Sequence, residues 1–242
     1  MKPKLLDTFC KAGGAGYGYS LAGFDVVGID IQPQPHYPFP FILGDALDIL
    51  RRMIAGETFL ASDEKHYGLK DFSAIHASPP CQAYSSATKN PEKHPDLYKP
   101  TISILQKSGL PYVCENVIGA PYNHGIFLCG SMFNLSHDGE WLQRHRNFET
   151  SFMLFQPQCQ HQQKRPITVT GKSFVKVVRE YEHSRQAPFA LAEKLMGINW
   201  MTHNELANAI PPAYTQWLGL QVVTRLTPRE PDSLKAGVFE PA

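Results

Sequence analysis

Leu5-Leu6-Asp7-Thr8-Phe9-Cys10-Lys11-Ala12-Gly13-Gly14-Ala15-Gly16-Tyr17-Gly18 is the stretch whose reading decides the fold. Leu5 to Phe9 is a short apolar run of strand type, Gly13 to Gly18 is a glycine-rich turn, and Tyr17 to Ala22 opens a helix. Strand, glycine turn and helix in that order make the first unit of a parallel sheet with crossover helices. Working outward, Val26 to Ile29 reads as a second strand ending in Asp30, and the proline-rich loop of residues 32–38 follows. Phe41 to Leu43 is a third strand, running into Gly44-Asp45 and a helix over Ala46 to Ala55. The alternation predicts the α/β class.

The second informative stretch is Ser78-Pro79-Pro80-Cys81-Gln82, directly after the strand-type run Phe72 to Ala77. Two prolines fix φ and remove two backbone donors, so the strand must stop there and Cys81 is presented at its carboxyl end. Open α/β sheets bind ligands at that end, and a thiol held there is a candidate nucleophile. Residues 56–71 read as a polar connection and residues 83–100, broken by Pro91 and Pro95, as a loop. Thr101 to Lys107 reads as helix and Pro111 to Cys114 as a strand entering Glu115-Asn116-Val117. Further on, Pro166 to Thr170 and Ser173 to Val178 lean to strand, Pro188 to Met196 to helix, and Asn204 to Leu220 to a turn and helix interrupted by Pro211-Pro212.

Bulk properties exclude several classes. The chain has 242 residues, 43% of them hydrophobic, and no apolar run approaches the roughly 18 residues that span a bilayer. The start, Met1-Lys2-Pro3-Lys4-Leu5-Leu6-Asp7, lacks the apolar core of a secretory signal, so a cytoplasmic protein with no membrane partner is expected. Five cysteines, an odd number without framework spacing, argue for reduced thiols. The net charge of +1 is unevenly spread. Between Trp141 and Arg185 stand eight Lys or Arg against three acids, Glu149, Glu180 and Glu182. Such a basic segment is what a phosphate backbone requires, although a solvated face has the same composition.

The acid of the first strand, the glycine turn and Asp30 together form a nucleotide-cofactor pattern, with Asp30 placed to accept from ribose hydroxyls. The turn does not reproduce the regular spacing of the dinucleotide fingerprint, and S-adenosylmethionine fits it equally well. Four further blocks extend the pattern. In order along the chain they are Ser78-Pro79-Pro80-Cys81-Gln82, Glu115-Asn116-Val117, Arg144-His145-Arg146 and Ala207-Asn208-Ala209-Ile210-Pro211-Pro212. With them, from residue 5 to about residue 220, the chain resembles the DNA cytosine-5 methyltransferases.

That resemblance implies a Rossmann-like S-adenosylmethionine-dependent methyltransferase sheet with a small target-recognition subdomain. It implies a catalytic set of Cys81, Glu115, Arg144 and Arg146. Cys81 would add to carbon 6 of cytosine, Glu115 would protonate the ring nitrogen, and Arg146 would hold the base carbonyl with Arg144 nearby. Cofactor contacts are implied for Asp7, Phe9, Gly13, Gly14, Asp30, Ile31, Asp45, Ala46, Pro79 and Asn208. Substrate contacts are implied for Pro80, Gln82, Ser85 and Asn116, and for Lys164, Arg165, Lys172, Lys176 and Arg179 of the basic segment. DNA is the expected partner of a monomeric, compact, phage-like or solitary bacterial enzyme that flips its base.

The expected division is a catalytic and cofactor-binding domain over residues 1–147, a small recognition region over 148–190, a segment over 191–224 completing the catalytic domain, and a flexible tail over 225–242. Three positions depart from the family pattern: Lys11 replaces a glycine, Asn147-Phe148 follows the arginine pair in place of a hydrophobic strand, and Ala207 replaces the glycine before Asn208. No metal is expected, since Cys159 and His161, with His183 later, lack paired ligand spacing. Alternatives with the same fold are methylation of RNA or a free cytidine nucleotide, and a catalytically silent nucleic-acid binding module. A nicotinamide oxidoreductase would rest on the glycine turn alone.

Overall fold

The computed structural model describes residues 2–122, 124–161, 166–169 and 185–226. The chain runs β1 (Lys4–Thr8), α1 (Gly14–Leu21), β2 (Asp25–Asp30), β3 (Phe41–Leu43), α2 (Ala46–Ile54), β4 (Thr58–Leu60), β5 (His66–Gly68) and β6 (Ala74–Ala77). It continues through α3 (Tyr98–Ser108), β7 (Tyr112–Asn116), β8 (Gly125–Leu128), β9 (Ser136–His137), β10 (Glu140–Leu142) and β11 (Arg146–Thr150). The described part ends with β12 (Pro166–Thr168), β13 (Arg185–Gln186), α4 (Phe189–Met196), α5 (His203–Asn208) and α6 (Pro212–Leu226).

The main sheet has the order β3-β2-β1-β6-β7-β11-β8. Its first five strands are parallel, and β11 runs antiparallel to both β7 and β8. Strand alternation sends side chains to two covered faces. Leu6, Val27, Ile75 and Cys114 pack against α2 and α3, where Leu50, Met53 and Leu105 are buried. Leu5, Val26, Ala74 and Val113 pack on the other face against Tyr19 of α1 and Tyr214, Leu218 and Val222 of α6. The doubly wound α/β sheet expected from the sequence is therefore present.

Three elements differ from the expectation. α1 starts at Gly14, inside the glycine turn, because helix packing selects those glycines: a Cβ at Gly18 would lie 2.0 Å from Thr215 Oγ1 on α6. α3 starts at Tyr98 and takes in Pro100, which the first helical turn tolerates because its amide needs no intrahelical partner. Residues 56–71 are not a plain connection, since β4 and β5 pair antiparallel within them.

A second sheet has the order β13-β12-β10-β9 and closes over Leu142, Ile167, Leu195, Met196 and Leu206. It draws β9 and β10 from residues before 147, and the division expected at 147/148 falls within β11 of the main sheet. The chain leaves the main sheet after β8, forms β9 and β10, and returns as β11. Ser173 to Val178 and residues 227–242 lie outside the described residues. No helix among the described residues is long and apolar enough to cross a membrane.

Candidate active site

The strand order reverses direction between β1 and β6, so the connections after these two strands diverge and leave a crevice at the carboxyl end of the sheet. A cavity of about 230 Å³ lies there. It is lined from both halves of the crevice: Asp7, Phe9, Gly14, Asp30, Ile31, Asp45 and Ala46 on one side, and Pro79, Pro80, Cys81, Gln82, Glu115 and Arg146 on the other. Asn208 closes it from the end of α5. Of the residues singled out in the sequence, Gly13, Ser85, Asn116 and Arg144 do not line it.

Each reactive side chain is placed by a strand end. β6 stops at Ala77 and the two prolines carry Cys81 into the cavity, half-buried, where its carbonyl accepts from the Tyr84 and Ser85 amides at 3.0 and 2.9 Å. Ser85 thus closes the turn beneath Cys81. Asn116 braces the same loop, donating from Nδ2 to the Pro79 carbonyl at 3.0 Å while its Oδ1 accepts from the Val117 amide. β11 begins beside the end of β7, with Phe148 opposite Glu115, which brings Arg146 Nε to 3.3 Å from Glu115 Oε1.

The electrostatics couple these groups. Burial raises the Cys81 thiol, the Glu115 charge raises it further, and Arg146 opposes both. Burial also raises the Glu115 carboxyl, against Arg146, Arg144 and a hydrogen bond from Ser78. A charge on Glu115 therefore disfavours a thiolate at Cys81, and the neutral acid favours it.

Sequence reasoning missed what stands behind Glu115. Tyr19 Oη lies 3.1 Å from His76 Nδ1, and His76 Nε2 lies 2.8 Å from Ser78 Oγ. Burial holds His76 down to about 3, so the ring is neutral. With the Tyr19 hydroxyl donating to Nδ1, the remaining ring proton sits on Nε2 and points at Ser78, leaving the Ser78 hydroxyl to donate to Glu115. The histidine inside a strand next to Ser-Pro-Pro was the available signal.

On the other side of the cavity, Asp30 accepts from the Lys11 amide at 3.1 Å and the Gln32 amide at 3.0 Å, tying together the two loops that form the wall. Lys11 holds φ +48°, a left-handed conformation that explains why glycine suits this position. Gly13 also has positive φ, and a Cβ there would meet the Tyr37 and Pro38 side chains at 2.9 Å. Its role is to shape the loop behind the wall. Asp45 caps α2, accepting from the Asp48 amide at 2.9 Å. Asp7 is fully buried, and its carboxyl is pushed up to about 8 by burial, against the hydroxyl of Tyr37 at 3.2 Å and with Asp30 adding to the rise. Asp7 Oδ1 has no hydrogen-bond partner among the described residues.

Arg144 is buried away from the cavity. Its guanidinium donates to the carbonyls of Val169 at 2.8 Å, Ala207 at 2.8 Å and Ala209 at 2.6 Å. Lys164, Arg165, Lys172, Lys176, Arg179 and His183 lie outside the described residues. Cys159 and His161, set aside as metal ligands on their spacing, are joined in space by Cys129 and His145, the four ligand atoms lying within 4.8 Å of one another.

No protein-family model and no curated sequence matches the chain. Solved structures do. The S. pombe Dnmt2 methyltransferase aligns at 14% identity with a TM-score of 0.55, covering 93% of this chain and 99% of that one. A protein encoded within an E. coli prophage and assigned as a DNA modification methyltransferase aligns at 14% identity with a TM-score of 0.57 over the same shares. Spodoptera frugiperda DNMT2, as a triple mutant, aligns at 14% identity and 0.55 over 92% and 99%. At this identity the likeness is one of fold, and the fold is the Rossmann-like sheet of these methyltransferases.

Proposed function

We propose that the chain methylates carbon 5 of cytosine in DNA, using S-adenosylmethionine and a covalent adduct to Cys81. The observation that carries this reading is the convergence of Cys81, Glu115 and Arg146 on one wall of a cavity whose other wall carries Asp7, Gly14, Asp30 and Asp45. The second wall fits the cofactor. Asp7 Oδ1 is a buried acceptor without a donor among the described residues, suited to an ammonium, and exposed Ile31 offers an apolar face to an adenine. A Cβ on Gly14 would stand 2.8 Å from the Ile210 carbonyl, so the helix start is bare backbone at the cavity wall. When bound, S-adenosylmethionine supplies the electrophilic methyl that carbon 5 takes up.

The chain's own residues do the rest. Cys81 loses its thiol proton to solvent and forms a bond from Sγ to carbon 6, while neutral Glu115 delivers its proton to ring nitrogen 3. Arg146 lies against Glu115 and holds the charge that builds on the base carbonyl. After methylation water takes the carbon 5 proton, the electron pair of that C–H bond forms the carbon 5–carbon 6 double bond, the Sγ–carbon 6 bond breaks with its pair leaving on sulfur as the Cys81 thiolate, and the nitrogen 3 proton returns to Glu115. Mutual repulsion disfavours ionising both groups at once, so the Cys81 thiolate that the reaction requires is formed most readily when Glu115 holds its proton.

DNA as the polymer is supported by the composition of residues 164–185, with six Lys or Arg against two acids, and by the assignment of the prophage neighbour. DNA containing 5-fluorocytosine should form a covalent adduct in the presence of cofactor, because fluorine does not leave as a proton does. Cys81→Ser should form none. Absence of an adduct when calorimetry reports bound cofactor removes the covalent mechanism, and an adduct with 5-fluorocytosine RNA alone moves the substrate to RNA.

A further inference from the structure

We propose that Cys129, His145, Cys159 and His161 form a structural zinc site that fastens the edge of the main sheet to the segment following β11. The proposal is independent of the reaction at Cys81. The sheet register itself sets up half of the site. Arg146 pairs with Leu128 across β11 and β8, so His145 and Cys129 are the next opposed pair and project from the same face. Arg146, one residue on, projects from the other face toward Glu115. Cys159 and His161 complete the set from the connection beyond β11: Cys159 Sγ lies 2.8 Å from His161 Nε2 and 3.5 Å from His145 Nε2, and Cys129 Sγ lies 3.9 Å from His161 Nε2.

Tetrahedral zinc with bonds of about 2.3 Å to sulfur and about 2.0 Å to nitrogen places neighbouring ligand atoms about 3.3–3.8 Å apart. All four atoms here lie within 4.8 Å of one another, so shifts of a few tenths of an ångström to about one ångström close the tetrahedron around one ion. Two thiolates and two neutral imidazoles balance a divalent charge, and the two thiol protons are released on binding. Two sulfurs and two nitrogens in this geometry select zinc. A two-iron cluster would carry the cysteines on one iron and the histidines on the other, whereas all four ligand atoms here lie within 4.8 Å of one another, as a single ion requires. The surroundings are built as an outer shell. Ser131 Oγ lies 3.5 Å from both sulfurs and accepts from the Gln160 amide, and Trp141 stacks on the His161 ring with centroids 4.6 Å apart at 15°.

The test uses the full chain without a histidine tag, purified under reducing conditions. Metal analysis should find about one zinc per chain, and cobalt substitution should give the visible bands and thiolate charge-transfer band of a tetrahedral centre with two sulfurs. Cys159→Ser and His161→Asn, both on the outer side of the cluster, should each lose the zinc, while His124→Asn, at an exposed histidine outside it, should retain it. Because a ligand variant can fail to fold, zinc is also removed from the wild-type protein with a chelator and returned, which should lower and then restore the melting temperature. Background zinc in folded wild-type protein, a melting temperature indifferent to chelator and zinc, or a Cys129–Cys159 disulfide that persists in place of metal would each overturn the proposal.

Discussion

Asp7→Asn should make the protein more stable, by an amount that depends on pH. Asp7 lies on β1 with no exposed surface, one oxygen accepting from Tyr37 and the other without a partner among the described residues. Burial pushes its carboxyl up to about 8. An unfolded aspartate releases its proton near pH 4, so folding takes up a proton between about pH 4 and about pH 8, and stability falls as pH rises through that window. At about 1.4 kcal/mol per pH unit, the loss is about 1 kcal/mol at pH 5 and about 4 kcal/mol at pH 7. Asparagine keeps the shape and an acceptor for Tyr37 and does not titrate. The advantage of the variant should therefore grow by about 3 kcal/mol between pH 5 and pH 7 and level off above about pH 8. Urea denaturation of both proteins across this range measures it. A stability gap that does not change with pH, or a variant less stable than wild type at neutral pH, refutes the reasoning. The same substitution should weaken S-adenosylmethionine binding in calorimetry above about pH 8, where Asp7 is ionised and asparagine leaves the assigned ammonium without a charged partner, a trade of stability for function at one side chain.

Glu115→Gln should lower turnover by about 100-fold or more. The same variant should move the midpoint of Cys81 alkylation by iodoacetamide to lower pH, since the charge that raises the thiol is gone, and an unmoved midpoint would separate the two groups. Ser78→Ala removes a hydrogen bond that favours ionised Glu115, so the alkaline limb of the turnover profile should move to higher pH. An unchanged limb would make Ser78 a loop residue only. Gly18→Ala places a methyl 2.0 Å from Thr215 Oγ1 and 2.2 Å from the Pro212 carbonyl. It should cost about 3 kcal/mol, read as a melting temperature lower by about 6–12 °C, and a wild-type melting curve would show that α1 and α6 are not locked at this crossing.

Three strands of the parallel half were legible because each is an apolar run with a chemical full stop: Asp30 at the end of β2, Pro79-Pro80 after β6, Glu115-Asn116 at the end of β7. The same full stops are the site residues, which is why the cavity wall could be read together with the sheet. The start of α1 could not, since glycines at 14, 16 and 18 signal a turn by local propensity and are in fact spaces for Ile210, Asp7 and Thr215. Leu97 and Met201 reach the cavity from elements with no pattern of their own. Cys129 and His145 gave no spacing signal because they become neighbours only when β11 folds back between β7 and β8.

Arg144-His145-Arg146 shows what a block read from sequence leaves open. Three consecutive side chains at a strand start serve three places: Arg146 the cavity, His145 the thiol and imidazole cluster, and Arg144 the carbonyls beneath the late block. Burial lowers the Arg144 guanidinium to about 9, which leaves it charged at neutral pH, and Tyr214 fixes its backbone carbonyl at 2.8 Å. Through Ala207 and Ala209 it holds the two neighbours of Asn208, and Asn208, Ala209 and Ile210 line the cavity. Lysine could not serve there, because one ammonium on a flexible stem cannot reach three carbonyls in a fixed fork. The geometry places Arg144 beneath the late block and Arg146 on the cavity wall, so the two arginines sit in different surroundings despite their spacing.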